Sequence, residues 1–123
     1  MDFNQFLGIE VRARHDDGMT IRVALRPELM NIAGVAHGGV TATMADAAAG
    51  MGLMHLLGGR RPVTTTELKI NYLLPGTGAW LEARAKFVRH GRTLAVAQVD
   101  VTDDQSRLVA IALVTYMILP DTQ

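Results

Sequence analysis

The chain has no cysteine among its 123 residues, which excludes disulfides and any thiolate-bound metal. Aromatic side chains make up only 5%, so the interior must be filled by small apolar residues and by seven methionines. Net charge is missing too, because 12 basic and 12 acidic residues cancel. Without a long-range field, or a basic stripe interleaved with aromatics, nothing points to nucleic acid. No stretch is long and apolar enough to span a bilayer, since Asp46 and several glycines interrupt the best candidate. The first ten residues lack the basic start and apolar run of a signal peptide, so no membrane association and a cytoplasmic location are expected. The histidines show no metal-ligand spacing, and no metal site is expected. What remains is a chain that is 49% hydrophobic. It is long enough to form a single domain, residues 1–123, around a real core.

The most informative stretch runs from Asn31 to Leu57, NIAGVAHGGVTATMADAAAGMGLMHLL. A polar, Gly-rich loop leads into a helix predicted over Val40–Leu57. Gly38 and Gly39 lack Cβ atoms, so a ligand can approach the backbone where the helix begins. The N–H groups and dipole of that end favour negative charge. The helix is apolar on all sides, which predicts burial on all sides, yet Asp46 sits within it. An unpaired carboxylate there is costly unless donors or charges compensate. Asp46 therefore reads either as a structural residue at a subunit contact or as a working group. Gly39 and Asp46 share a face but lie about 10 Å apart along the axis, too far to meet one reacting group. That face (Gly39, Ala42, Thr43, Asp46, Ala49, Gly50, Leu53) is mostly small. Two antiparallel copies of the helix would set Asp46 of one against the Gly38–Gly39 turn of the other.

Around this helix the chain alternates apolar and polar residues with period two, the mark of half-buried strands. Residues 1–6 form a short lead-in. Strands are predicted over Leu7–Arg14 and Thr20–Arg26, a hairpin closed by His15–Gly18. Pro27 ends the second, and Glu28–Met30 leads into the loop. After Gly58-Gly59-Arg60-Arg61-Pro62 stops the helix, strands follow over Val63–Leu74, Trp80–His90, Thr93–Thr102 and Leu108–Leu119. In Val63–Leu74, alternation sets Leu68, Ile70 and Tyr72 on one face and Thr65, Glu67, Lys69 and Asn71 on the other. Leu108–Leu119 is apolar on both faces, as for a strand between a helix and a partner. One antiparallel sheet of six strands curled around one helix fits these lengths, an α+β fold that calls for oligomerisation to cover what it leaves open.

The spacing Asn31-x5-His37-Gly38-Gly39-x6-Asp46 resembles that of the hotdog-fold acyl-CoA thioesterases. The likeness is strongest to the branch of the phenylacetate-pathway (PaaI-like) and human thioesterase superfamily member enzymes. It continues through Val63–Pro75 (VTTTELKINYLLP) and Val88–Ala95 (VRHGRTLA), and so covers about residues 7 to 119. The resemblance implies hydrolysis of an aryl- or medium-chain acyl-CoA at sites shared between subunits, in a homodimer at least and a homotetramer by analogy. It implies no metal or redox cofactor. Asp46 matches the catalytic carboxylate, as general base or nucleophile. The Gly38 N–H, with Gly39, matches the oxyanion hole. Asn31 and His37 match positions that orient substrate, water and loop, and Thr65 matches a hydroxyl near the water. Arg89, His90, Gly91 and Arg92 match the neighbourhood of the CoA phosphates, with Arg60 and Arg61 as weaker candidates.

Taken singly, these residues have plainer readings. His37 alone reads as a loop brace, Asn31 as a turn residue, Thr65 as an ordinary strand threonine and Arg89–Arg92 as a solvated hairpin end. His15 and His55 read as structural. Two other functions belong to the same fold. One is an enoyl thioester hydratase or dehydratase, disfavoured by the HGG loop with Asp46 placed as it is. The other is a non-catalytic acyl-CoA-binding domain, which has no need of a carboxylate at the carbonyl.

Overall fold

The computed structural model of the chain describes residues 1–59 and 61–121. The lead-in is a short helix, α1 (Phe3–Leu7), started by a reciprocal cap. The Asp2 side chain accepts from the Gln5 N–H while the Gln5 side chain accepts from the Asp2 N–H. This cap draws Leu7 into the helix, so the first strand begins later than alternation suggests. β1 (Glu10–His15) and β2 (Gly18–Ala24) form the hairpin. A 3₁₀ turn at Pro27–Leu29 precedes the loop and the long helix α2 (Gly38–Leu56). Gly58 and Gly59 then take left-handed φ values of 69° and 73°, the conformation that stops a helix at little cost in glycine. β3 (Val63–Tyr72), β4 (Trp80–His90), β5 (Leu94–Asp103) and β6 (Leu108–Ile118) complete the chain.

All six strands join one antiparallel sheet in the order β1-β2-β4-β5-β6-β3. α2 touches every strand except the edge strand β1 closely, so the sheet wraps the helix as the hotdog arrangement requires. Composition explains how. The helix presents Ala45, Ala48 and Ala49 to a sheet face carrying Ala83, Ala85, Ala95, Ala97 and Ala110, all without solvent exposure. Small side chains on both surfaces let the two layers approach closely. Met44, Leu53, Ile21, Leu81 and Val99 fill the space around them. Sequence reasoning put Ala49 and Leu53 on the face shared with Asp46, but both turn into this core. The open face of α2 carries Thr43, Asp46, Ala47, Met51 and Met54 instead.

One irregularity matters for the site. β3 pairs with β6 in register from Val63 to Thr65 and again from Glu67 to Tyr72, with a bulge between Thr65 and Glu67. A bulge inserts one residue and so reverses the facing of everything on one side of it. Strict alternation puts Thr65 opposite in facing to Leu68, Ile70 and Tyr72. The bulge turns Thr65 to the helix side with them, where its hydroxyl reaches α2.

Candidate active site

Two clusters form on the helix side of the sheet. The first gathers at Asp46, on the open face of α2 and half-buried. The Thr65 hydroxyl donates to Asp46 Oδ1 at 2.8 Å. The Tyr116 hydroxyl reaches the same oxygen at 2.7 Å and the Asp46 carbonyl at 2.9 Å. Tyr116 pairs directly with Thr65 across the β6–β3 ladder, so the two hydroxyls arrive from neighbouring strands. The Tyr116 phenol is pushed well above its ordinary value by burial, opposed by the Thr65 hydroxyl and aided by the hydrogen bond and charge of Asp46. It therefore remains a donor throughout the neutral range. Tyr116 was not among the candidates drawn from sequence. Only strand register could have linked it to Asp46.

A cleft of about 460 Å³ opens from this cluster. Thr43, Asp46, Ala47, Gly50, Met51 and Met54 of α2 form one wall, Val63–Thr65 and Tyr116 of the sheet another, and Phe3 and Asn4 of α1 close the side. Arg26 holds α1 in place by donating to the Phe6 and Leu7 carbonyls. Its lining is mixed: Phe3, Ala47, Met51, Met54 and Val63 are apolar, while Asn4, Thr43 and Thr64 add polar groups to the cluster of Asp46, Thr65 and Tyr116.

The second cluster lies at the start of α2. His37 is the N-cap, and its Nδ1 accepts from the Gly39 N–H at 2.9 Å. Accepting there leaves the proton of the neutral ring on Nε2. The cap also occupies one of the two amides expected in the oxyanion hole. The Gly38 N–H meets no acceptor among the described residues, while the Gly38 carbonyl accepts from the Tyr72 hydroxyl at 2.7 Å. Asn31 shapes the loop before the helix: its Oδ1 accepts from the Ala33 and Val35 N–H groups at 2.9 and 3.3 Å. Its side-chain hydrogen bonds all lie within that loop. Gly38 and Asp46 are separated by about 12 Å of helix rise. Within one protomer the two clusters do not meet.

The basic turn is exposed, apart from a partly covered Gly91. Neither Arg89 nor Arg92 has an ion-pair partner among the described residues. A row of paired residues crosses the sheet from Thr65 to Tyr116, to Ala95 and to His90. His90 at the turn therefore stands three strand spacings, about 14 Å along the sheet, from Thr65, the partner of Asp46. Arg61 is committed elsewhere, its guanidinium donating to the Leu119 carbonyl at 3.0 Å. Arg60 lies outside the described residues. His15 bonds Thr20 within the β1–β2 hairpin at 2.9 Å.

The thioesterase superfamily matches residues 33–110, a span that holds the Gly38–Gly39 turn, Asp46, Thr65 and the basic turn. The chain belongs to the thioesterase superfamily. Among its relatives is the Escherichia coli medium/long-chain acyl-CoA thioesterase YigI, 27% identical over 96% of this chain and 86% of that protein. A provisionally named esterase of Halobacterium salinarum is 36% identical over 78% of this chain; the match spans 66% of that protein, just under two thirds of its length. In three dimensions the thioesterase fold is matched by a Bacillus halodurans protein crystallised with CoA, at a TM-score of 0.88 and 31% identity. That alignment covers 97% of this chain and 79% of the other. Within the superfamily match, His37 is a helix cap, and Asp46 is the carboxylate that faces a cleft.

Proposed function

We propose that this thioester hydrolase acts on acyl-CoA, cleaving an aryl- or medium-chain acyl thioester to free acid and CoA, as one domain spanning residues 1–123. The observation that carries the reading is a half-buried carboxylate, Asp46, set by two hydroxyls in a cleft whose α2 wall continues through Ala47, Met51 and Met54. From Asp46 to Met54 the cleft follows α2 for about 12 Å, a length suited to a medium acyl chain. The names of relatives support the same substrate class: one is a medium/long-chain acyl-CoA thioesterase and another was crystallised with CoA.

The reaction needs water made nucleophilic and an oxyanion held. Asp46 takes a proton from water as its oxygen attacks the thioester carbonyl; alternatively the carboxylate attacks and a mixed anhydride is then hydrolysed. The Gly38 N–H, at the positive end of α2, receives the developing oxyanion. Collapse re-forms the carbonyl and expels the CoA thiolate, which takes up the proton. Because Asp46 and Gly38 of one protomer are too far apart, the donor comes from a second copy whose α2 runs antiparallel to the first. The half-exposed apolar residues Val40, Ala47 and Met51, with the exposed Met54, support such a pairing. His37 and Asn31 hold the oxyanion loop in shape. Arg89, His90, Gly91 and Arg92 receive the CoA phosphates, and the dimer pairs further into a tetramer.

Thiol release from a panel of aryl- and alkyl-CoA thioesters, wild type beside Asp46→Asn, tests the reading. Turnover lost with Asp46 supports it. Saturable CoA binding with no release from any member of the panel would favour the non-catalytic acyl-CoA-binding domain.

A further inference from the structure

The two oxygens of the Asp46 carboxylate have unequal surroundings. Oδ1 receives the Thr65 and Tyr116 hydroxyls. Oδ2 has no partner among the described residues and is not enclosed, since the one buried unpartnered side-chain oxygen among them is on Asp100. Tyr116 itself is 6% exposed, so its hydroxyl cannot swing freely between protein and water. It reaches Asp46 only because of a gap in the helix one turn further on. A Cβ built on Gly50 would lie 2.5 Å from the Tyr116 hydroxyl and 2.9 Å from the ring carbon that bears it. Gly50 is buried in mid-helix, where glycine costs about 1 kcal/mol relative to alanine. Packing alone would favour alanine there, as at Ala48 and Ala49. The glycine admits the phenol.

We infer that Tyr116 is the positioning residue of the active site: with Thr65 it pins Asp46 by Oδ1, through space left by Gly50, so that Oδ2 is the oxygen that meets water or the thioester. The inference rests on the reading of Asp46 as the acting carboxylate. A carboxylate anchored at one oxygen keeps a single χ2 orientation, and its free oxygen stays aimed into the cleft between reaction cycles. Displacement of a reacting atom by about 1 Å can cost on the order of 100-fold in rate, so a fixed orientation is worth a substantial part of kcat. Tyr116 does not exchange protons in this scheme. Its raised pKa keeps it a donor.

The test is a double-mutant cycle on the full chain with Gly50→Ala and Tyr116→Phe, measured by thiol release beside Asp46→Asn. Tyr116→Phe keeps the ring and removes only the hydroxyl. It should lower kcat about 10-fold or more, leaving KM, thermal unfolding and the affinity for a non-hydrolysable acyl-CoA thioether near wild type. Gly50→Ala should produce a similar fall in kcat by displacing the phenol. In the Tyr116→Phe background the same Gly50→Ala change should cost much less of kcat, because the hydroxyl that holds Oδ1 is already gone, even though the ring carbon at 2.9 Å must still give way. A merely structural role for the Tyr116 hydroxyl would lower stability and affinity together in Tyr116→Phe instead of kcat alone. Wild-type kcat for Tyr116→Phe, with Asp46→Asn inactive, would overturn the positioning role and leave the thioesterase reading intact. Wild-type kcat for Asp46→Asn would instead overturn the reading of Asp46 as the acting carboxylate, on which this inference rests.

Discussion

Replacing Asp46 by asparagine removes one atom's chemistry while keeping its neighbours satisfied. The two hydroxyls converge on Oδ1 at 2.7 and 2.8 Å, and an asparagine carbonyl can accept both in the same place. Only Oδ2, the oxygen without a partner, becomes an amide nitrogen that can neither take a proton nor attack. General-base catalysis is worth about 10²- to 10⁴-fold, or about 3–5 kcal/mol on the barrier. Asp46→Asn should lose that much of kcat in a thiol-release assay, with a melting temperature within about 2 °C of wild type. Asp46→Ala separates chemistry from structure. It removes the common acceptor, but Tyr116 retains the residue-46 carbonyl at 2.9 Å and Thr65 is exposed to water. The added cost should be only about 1 kcal/mol, a few degrees of melting temperature. The reasoning is refuted if Asp46→Asn turns over within a few-fold of wild type, or if asparagine destabilises the chain more than alanine does.

Other expectations follow from the neighbouring contacts. His37→Ala removes the Nδ1 cap of α2 and should cost about 1 kcal/mol of stability with a smaller loss of kcat than Asp46→Asn. An Asp46-like loss of kcat at unchanged melting temperature would make His37 chemical instead. Arg89→Ala and Arg92→Ala should raise KM for acyl-CoA with kcat unchanged and weaken the salt dependence of kcat/KM; an effect confined to kcat would remove the turn from the CoA site. Alkaline stability should depend on Tyr116, whose phenol is raised above the ordinary 10.0 in the folded chain. Its contribution is fully present below pH 10.0 and is lost as pH rises through the folded value, because the unfolded phenol ionises first. Melting scans against pH should therefore fall less steeply above that point in Tyr116→Phe than in wild type.

Periodicity alone was enough for the architecture. Alternation with period two and turn residues at regular intervals specify six strands, and an apolar run without proline specifies the helix, because these patterns depend on neighbours a few residues apart. The His37-Gly38-Gly39 turn and Asp46 are legible for the same reason, as parts of one local stretch. The Thr65–Asp46 bond was out of reach of alternation. It depends on a bulge between Thr65 and Glu67, set by how β3 pairs with β6 rather than by the β3 sequence. Tyr116 was invisible as a site residue because 70 positions separate it from Asp46, and only sheet order brings them together. The sequence shows a glycine at position 50, but the phenol that fills its empty side belongs to another strand. Local pattern determines which elements form. Long-range register, which no short window contains, decides which side chains meet at the carboxylate.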